Sequence, residues 1–201
     1  MATTEKPVVL VVDDNEPIAN TYTAFLSDRF EVRTAYEGQQ ALSMLDDAVD
    51  VVLLDRRMPE VSGDAVLAEI DESDLDCQVV MLTAVDPDFD IIDMGFDEYL
   101  TKPVERTELN EIVEEMLLRA DYDDQFRSFL ALASKKSTLE AEKSSAELAA
   151  SDEYEAVVDR LDEKRAEVGV DLSELEAELD RAAAEGLPGD TEDSAESDAE
   201  E

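Results

Sequence analysis

The chain has 201 residues, enough for one ordinary domain with an appendage or for two small domains. It carries 55 acidic and 16 basic residues and no histidine, giving a formal net charge of −39 at pH 7. A surface this acidic repels phosphate backbones, which argues against nonspecific binding of DNA or membranes through a basic patch.

The acidic excess is spread along the chain, with 29 of the acids and 8 of the bases in the first 120 residues. We favour adaptation to molar salt, where the Debye length falls to about 3 Å and an acidic surface stays soluble; an acid-rich mesophilic protein is the alternative. The single cysteine, Cys77, cannot form an internal disulfide, which favours a reducing compartment. No signal core or membrane-spanning run is found, so we expect a cytoplasmic protein without a membrane partner.

Apolar runs alternate with helical patterns five times in the first 120 residues. The predicted helices begin near residues 16, 37, 64, 87 and 104, where apolar side chains recur on one face. Five strand–helix repeats joined by short loops imply an α/β fold, a five-stranded parallel sheet doubly wound with helices on both faces. The predicted strands, of which the second alternates as an edge strand would, are 8–12, 30–35, 50–54, 78–82 and 96–100.

Polar side chains follow the ends of four of these strands. Asp13 and Asp14 follow the first, Asp55 the third, Thr83 the fourth and Lys102 the fifth. In a parallel sheet these ends lie at one edge, where ligands bind. Carboxylates close together raise one another's pKa, and Mg²⁺, which prefers oxygen ligands, would resolve the conflict. Asp55 would then have an oxygen free to attack phosphorus, and the product would be an aspartyl phosphate.

Taken together, the motifs of this region resemble the receiver domain of two-component response regulators. The resemblance covers residues 7 to about 118 and implies the flavodoxin-like form of the doubly wound sheet. It also implies a cis peptide bond before Pro103. The motifs that carry it are Asp13-Asp14, Asp55-Arg56-Arg57-Met58-Pro59, Gly63, Thr83-Ala84, Gly95, Tyr99 and Lys102-Pro103.

The resemblance assigns a phosphoryl donor and a metal to the predicted site. It implies that a sensor histidine kinase phosphorylates Asp55, and that Asp13, Asp14 and Asp55 hold Mg²⁺, Asp14 through water. The backbone carbonyl of Arg57 would add a further ligand. Arg56 and Arg57 either steer the phosphoryl donor or offset the surrounding acid, and the second alternative is favoured.

The resemblance also implies a switch. Thr83 would turn towards the phosphoryl oxygens, Tyr99 would swing inward behind it, and Lys102 would pair with the phosphate. A local gain of negative charge would thus bias a two-state element. The fourth helix, fifth strand and fifth helix would form the readout surface, and this receiver face or the later helices could form a homodimer.

From residue 120 onwards the helical pattern continues without a catalytic or metal motif. The polar stretch 121–124 is either a joint or part of one continuous helix from about residue 104. Ser151-Asp152 is a predicted cap for a further helix, and Asp171 for another. The apolar stripe Phe126, Phe129, Leu132, Leu139 and Ala146, interrupted by Lys136 and Lys143, indicates a hairpin or coiled coil packed on itself, the receiver or a second copy. Charged helices without a ligand site are the alternative.

This later region is similar to the HalX domain, which follows receivers in haloarchaea and is regarded as a transcriptional-regulator module. Residues 136–148 and 154–161 carry the likeness. We therefore predict a receiver domain at 7–119, a HalX-like output domain at 120–184 and a disordered acidic tail at 185–201.

The predicted function is a response regulator that relays phosphorylation of Asp55 to transcription or to a protein partner, without being an enzyme. Direct DNA contact is the weaker output hypothesis, because the region after residue 120 has eight bases and no dense cluster of them. An adaptor with an inactive receiver is one alternative. A phosphatase with an aspartyl-phosphate intermediate is another, but it would need an acidic residue where this chain has Arg57.

Overall fold

The structure is a computed structural model that describes residues 6–73, 75–120, 122 and 124–168. Its strands form one sheet in the order β2-β1-β3-β4-β5, and every neighbouring pair is parallel. The strands are β1 Val8–Val12, β2 Glu31–Ala35, β3 Val51–Leu54, β4 Gln78–Thr83 and β5 Glu98–Thr101. The predicted five-stranded parallel sheet, with its second strand at one edge, is confirmed.

The helices lie between the strands and beyond the last one. Two of the early helices begin at side-chain caps: Asn15 accepts a hydrogen bond from the backbone N–H of Ile18, and Ser62 accepts one from that of Ala65. The helices are α1 Glu16–Leu26, α2 Gly38–Met44, α3 Gly63–Asp71, α4 Arg106–Arg119, α5 Asp124–Glu142, α6 Ser145–Leu148 and α7 Asp152–Val168.

The weak, acidic helix predicted between Pro87 and Gly95 is present but shorter than expected, and it is not an α-helix. Only a short 3-10 helix, Phe89–Asp93, forms between β4 and β5. The Asp88 side chain caps it by accepting from the Phe89 N–H, and Met94 at its end has an extended backbone. Aspartate and β-branched isoleucine are poor helix formers, which explains why this acidic segment does not extend into an α-helix.

The continuous helix considered for residues 104 onwards does not form. Helix α4 ends at Arg119 and α5 begins at Asp124. Helix α7 begins at the predicted Ser151 cap, whose hydroxyl accepts from the Tyr154 N–H at 3.1 Å. The short helix α6, which the apolar stripe did not predict, begins with a capping box between Ser144 and Glu147.

Side chains alternate between two apolar cores, one on each face of the sheet. Leu10, Val52 and Met81 point to one face, and Val11 and Val80 to the other. Helices α1 and α4 cover the second face, whereas α2, α3 and the 3-10 helix cover the first. Burial on both faces accounts for strands that read as unbroken apolar runs.

Helices α5 and α7 complete the first of these cores. Leu139 of α5 and Val157 of α7 are fully buried in the same cluster as Ile91 and Phe96. The later helices therefore pack on the receiver and also on one another, as the Tyr154 hydroxyl of α7 donates to Glu140 of α5 at 2.6 Å; packing on a second copy stays a prediction. The described residues up to Glu167 form one compact unit. None of the described helices is long and apolar enough to cross a bilayer.

The predicted domain boundaries stay a prediction. The segments predicted as a disordered tail (185–201) and as a helix capped by Asp171 lie outside the described residues.

Candidate functional site

Lys102 joins two buried aspartates at the carboxyl edge of the sheet. Its ammonium Nζ lies 2.6 Å from Asp13 Oδ2 and 2.5 Å from Asp55 Oδ1. The side chains of Lys102, Asp13 and Asp55 are 10%, 4% and 9% exposed. Three residues predicted for the site, from three different strand ends, are therefore in direct contact.

Strand register places these residues together. Val12 of β1 is opposite Leu54 of β3, so the next residues, Asp13 and Asp55, leave the sheet side by side. The Asp55 N–H donates to the Val12 carbonyl at 2.9 Å, which extends the ladder by one residue. On the other side, the Lys102 N–H donates to the Thr83 carbonyl at 2.8 Å, just beyond the last paired residue of β5.

The turns that follow the strands orient both carboxylates. Asp13 Oδ1 accepts from the Asn15 N–H and Asp55 Oδ2 accepts from the Arg57 N–H, each at 2.9 Å. In both Asp13 and Asp55, one carboxylate oxygen therefore accepts from Lys102 and the other accepts from a backbone N–H. Gly63 makes room for the turn after Asp55, because a Cβ there would lie 2.1 Å from the Asp55 carbonyl oxygen.

Burial and charge act against each other at this site. Burial raises the pKa of Asp55 above its ordinary value, and the nearby Lys102 only partly offsets this. For Lys102, burial alone would lower the pKa, but the hydrogen bonds and charges of Asp13 and Asp55 outweigh it and raise the pKa. One ammonium between two carboxylates leaves the cluster with an excess of negative charge, which a further cation can relieve.

The donor set fits Mg²⁺, a hard cation that takes one or two carboxylates and completes its shell with water. Asp13 and Asp55 both contact the Lys102 ammonium, so they are the carboxylates that would hold such a cation. Within the described residues, no group of three or more His, Cys, Asp or Glu side chains is arranged to hold a metal. Asp14 is exposed, as is Arg57. Their predicted roles, through water and through the backbone carbonyl, stay predictions.

The predicted switch residues lie beside the aspartates and behind them. Thr83 is 1% exposed, and its hydroxyl accepts from the Val85 N–H at 3.3 Å. The Tyr99 hydroxyl donates to the Val85 carbonyl at 2.6 Å. Tyr99 is 5% exposed, so its ring occupies an inward position in this structure. The Lys102–Pro103 peptide bond is cis, as the resemblance implies.

Arg56 turns away from the aspartates and pairs with other carboxylates. Its Nε lies 3.0 Å from Asp64 Oδ1, and Nη2 contacts Asp90 of the 3-10 helix. Hydrogen bonding to Asp90, partly opposed by burial, raises the pKa of Arg56. These contacts favour the alternative in which Arg56 offsets local acid.

Sequence reasoning missed one buried cation, Lys135 of α5. Lys135 is 6% exposed. Lys136, which the spacing predicts on the apolar stripe, is only half-buried. The signal was present, because Lys135 lies three residues after Leu132 and four before Leu139, on the same helical face.

Comparison with protein families identifies two regions of the chain. The model of the response regulator receiver domain matches residues 9–114, and that of the HalX domain matches residues 118–185. The matched receiver region contains the Asp13, Asp55 and Lys102 cluster.

Two relatives have names that indicate a regulatory role. A Haloferax volcanii protein named as a candidate transcriptional regulator is 49% identical over 175 residues, which cover 87% of this chain and 30% of that protein. The transcriptional regulatory protein CpxR of Klebsiella pneumoniae is 35% identical over 58% of this chain and 52% of its own length. The chain thus spans about a third to a half of these relatives. The Haloferax relative and the HalX match support the expected haloarchaeal origin.

Solved structures share the fold of the first region. The BeF3-activated DrrB receiver domain is 28% identical with a TM-score of 0.53, covering 56% of this chain and 98% of that one. A response regulator receiver domain protein from Clostridium thermocellum is 31% identical with a TM-score of 0.51, covering 56% of this chain and 94% of that one. The predicted flavodoxin-like sheet is therefore the receiver fold.

Proposed function

The chain belongs to the response regulator receiver family and carries a HalX domain behind the receiver, and on that premise we propose that it is a switch operated by phosphorylation of Asp55. The donor is a phosphohistidine of a sensor histidine kinase. An Asp55 carboxylate oxygen attacks phosphorus while the phosphorus–nitrogen bond breaks, and the electron pair of that bond stays with the histidine.

The observation that carries this proposal is the position of Lys102 between Asp13 and Asp55. A carboxylate can act as a nucleophile only while it is ionised and not tightly bound by a cation. Here Asp13 and Asp55 share the single ammonium of Lys102, so neither carboxylate is fully neutralised. When the phosphoryl group arrives, Lys102 is already in contact with the Asp55 carboxylate and stabilises the added charge.

Asp13 and Asp55 would hold Mg²⁺, with the Arg57 carbonyl and a water on Asp14 as further predicted ligands. The metal held by these residues would supply positive charge beside the phosphoryl oxygens. Thr83 then binds a phosphoryl oxygen through its hydroxyl, which lies at the end of the neighbouring strand β4.

The output proposed here runs through the helices behind the receiver to transcription or to a protein partner, because the relatives are named as regulators of transcription. A homodimer through the receiver face or through these helices is compatible with that output. Direct DNA contact is the weaker route. We also propose a cytoplasmic location. We further propose that the protein has no turnover activity, because Arg57 occupies the position at which a phosphatase would need an acidic residue.

Acetyl phosphate with Mg²⁺ in molar KCl tests the phosphoacceptor. We expect one phosphoryl group per chain by intact mass, labile to hydroxylamine as an acyl phosphate is. Asp55→Asn should remove it. Asp47→Asn, an exposed aspartate before β3, is the matched control and should label normally.

Other outcomes support the rival functions. Continuous release of inorganic phosphate would indicate a phosphatase, and no labelling of the folded wild type would indicate an inactive receiver. Labelling that survives removal of Mg²⁺ by EDTA would contradict the proposed metal site.

A further inference from the structure

An unbroken series of contacts leads from the proposed phosphorylation site to helix α5. It starts at Val85, which is held from two sides: its N–H donates to the Thr83 hydroxyl at 3.3 Å, and its carbonyl accepts from the Tyr99 hydroxyl at 2.6 Å. Thr83 and Tyr99 are both buried. The hydroxyl of Thr83 therefore cannot turn elsewhere without releasing one of the two bonds that fix Val85.

The series continues through two aromatic rings. The Tyr99 ring packs against that of Phe96, with centroids 5.7 Å apart and planes tilted by 53°. On Phe96 rests the ammonium of Lys135, 4.8 Å from the ring centroid. Lys135 Nζ also donates to the carbonyl of Met94 and, at 3.5 Å, to that of Ile92, at the end of the 3-10 helix.

Lys135 occupies a position where an apolar side chain would be expected. Leu132 and Leu139, its neighbours on the helix face, are 4% and 0% exposed, and Lys135 itself is 6% exposed. Burying a charge is costly unless other groups compensate. Here the carbonyls and the ring face compensate, so the stability of this contact depends on their arrangement.

The charges around Lys135 come from several elements. Burial lowers its pKa to about 8, against the attraction of Asp97, and Arg160 of α7 lowers it further while Asp93 and Asp71 act in the opposite sense. A displacement of any of these elements therefore changes the electrostatic surroundings of the ammonium.

Around Lys135, α5 is docked by apolar contacts and by ion pairs. Leu139 is fully buried in the core shared with Ile91 and Phe96. Lys143 pairs with Asp88 of the loop before the 3-10 helix at 3.0 Å, but this pair lies at the rim, where molar salt screens it. Salt screens the buried contact of Lys135 less, and likewise the part-buried hydrogen bond that the neighbouring Ser134 hydroxyl donates to Glu98 of β5.

We propose that Lys135 is the positioning residue through which the state of the Asp55 site reaches helix α5. The inference rests on the proposed function. When the Thr83 hydroxyl turns to a phosphoryl oxygen, the Val85 N–H loses its acceptor and Val85 shifts, and the inward-facing Tyr99 follows because its hydroxyl is bonded to the Val85 carbonyl. The Tyr99 ring then moves against Phe96, the surface under Lys135 changes, and α5 loosens from the receiver.

Hydrogen–deuterium exchange of the full chain in molar KCl tests this, with and without acetyl phosphate and Mg²⁺. In the wild type we expect phosphorylation to speed exchange of amides in α5 by about fivefold or more, the lower end of coupling between distant sites. Asp55→Asn should show no change. In Lys135→Met, Asp55 should still be labelled to the wild-type level, but the response of α5 should be lost.

Lys136→Met is the matched control. Lys136 is the next residue and pairs with Glu140 of its own helix at 2.6 Å, so its loss should leave the response intact. Lys135→Arg keeps a cation and should retain the response. Lys135→Gln replaces Lys135→Met if that variant does not fold.

The outcomes separate this inference from the proposed function. Wild-type protein that is labelled at Asp55 without any change in α5 would overturn the inference alone, as would a full response in Lys135→Met and Lys135→Gln. Wild-type protein that cannot be labelled would overturn both.

Discussion

Replacing Lys102 by methionine tests the electrostatics of the site most directly. The variant keeps the length and much of the apolar stem of the side chain but removes the ammonium that contacts Asp13 and Asp55. The two carboxylates, 4% and 9% exposed, are then left without their cation. Removing one partner of a buried ion pair costs about 3–5 kcal/mol, so we expect a loss of about 3 kcal/mol in the free energy of unfolding at neutral pH.

Two conditions should reduce that loss. Burial already raises the pKa of Asp55, and removal of Lys102 raises it further. Between the unfolded pKa of about 3.9 and this higher native pKa, the native variant binds more protons than the unfolded chain, so its stability falls as the pH rises. The deficit against wild type should therefore shrink as the pH is lowered towards the unfolded value. Mg²⁺ at about a hundredfold excess over the Kd of the variant should stabilise the variant by about 2.7 kcal/mol. It should stabilise wild type less, because Lys102 already neutralises part of the charge on the two carboxylates there.

Urea denaturation in molar KCl, followed by circular dichroism at several pH values with and without Mg²⁺, gives these numbers. Lys6→Met is the matched control, because Lys6 is exposed and donates to the Asp28 carbonyl at 3.0 Å. Its effect should stay within about 0.5 kcal/mol. The reasoning is refuted if Lys102→Met is as stable as wild type at neutral pH without Mg²⁺, or if its deficit depends on neither pH nor Mg²⁺.

Three further predictions concern other parts of the molecule. Because the native pKa of Lys135 is about 8 and its unfolded value about 10.5, the unfolded chain holds more protons between them, and wild-type stability should rise with pH relative to Lys135→Met. Urea denaturation should show up to about 1.4 kcal/mol per pH unit, and parallel curves would contradict this. Gly63→Ala forces the Asp55 backbone to move and should cost about 1–3 kcal/mol and slow labelling, whereas Ala65→Ser, exposed on the same helix, should do neither. Finally, repulsion among the acidic side chains, with a net charge of −39, should lower the stability of the folded state in dilute buffer. A circular dichroism spectrum and melting curve that are unchanged between molar and millimolar KCl would rule this out.

Local patterns were sufficient where structure depends on neighbours in the chain. The unbroken apolar runs at 8–12 and 50–54 predicted buried parallel strands, because only a strand covered on both faces tolerates apolar side chains at every position. The same logic placed Asp13 and Asp55 at one edge. It failed for residues 87–95, where apolar spacing suggested an α-helix and the acidic composition limited it to a 3-10 turn.

The sequence by itself determined the order of strands and helices, the residues that leave the sheet at its carboxyl edge, and an acidity suited to salt. Only the tertiary structure decided that Lys102 bridges two carboxylates, that Arg56 reaches Asp90, and that Lys135 rests on Phe96. These contacts join residues 34 to 89 positions apart in the chain, as Arg56 to Asp90 and Asp13 to Lys102 show. No periodic pattern in the sequence extends over such separations along the chain. The packing of the helices and strands against one another determines which side chains come into contact.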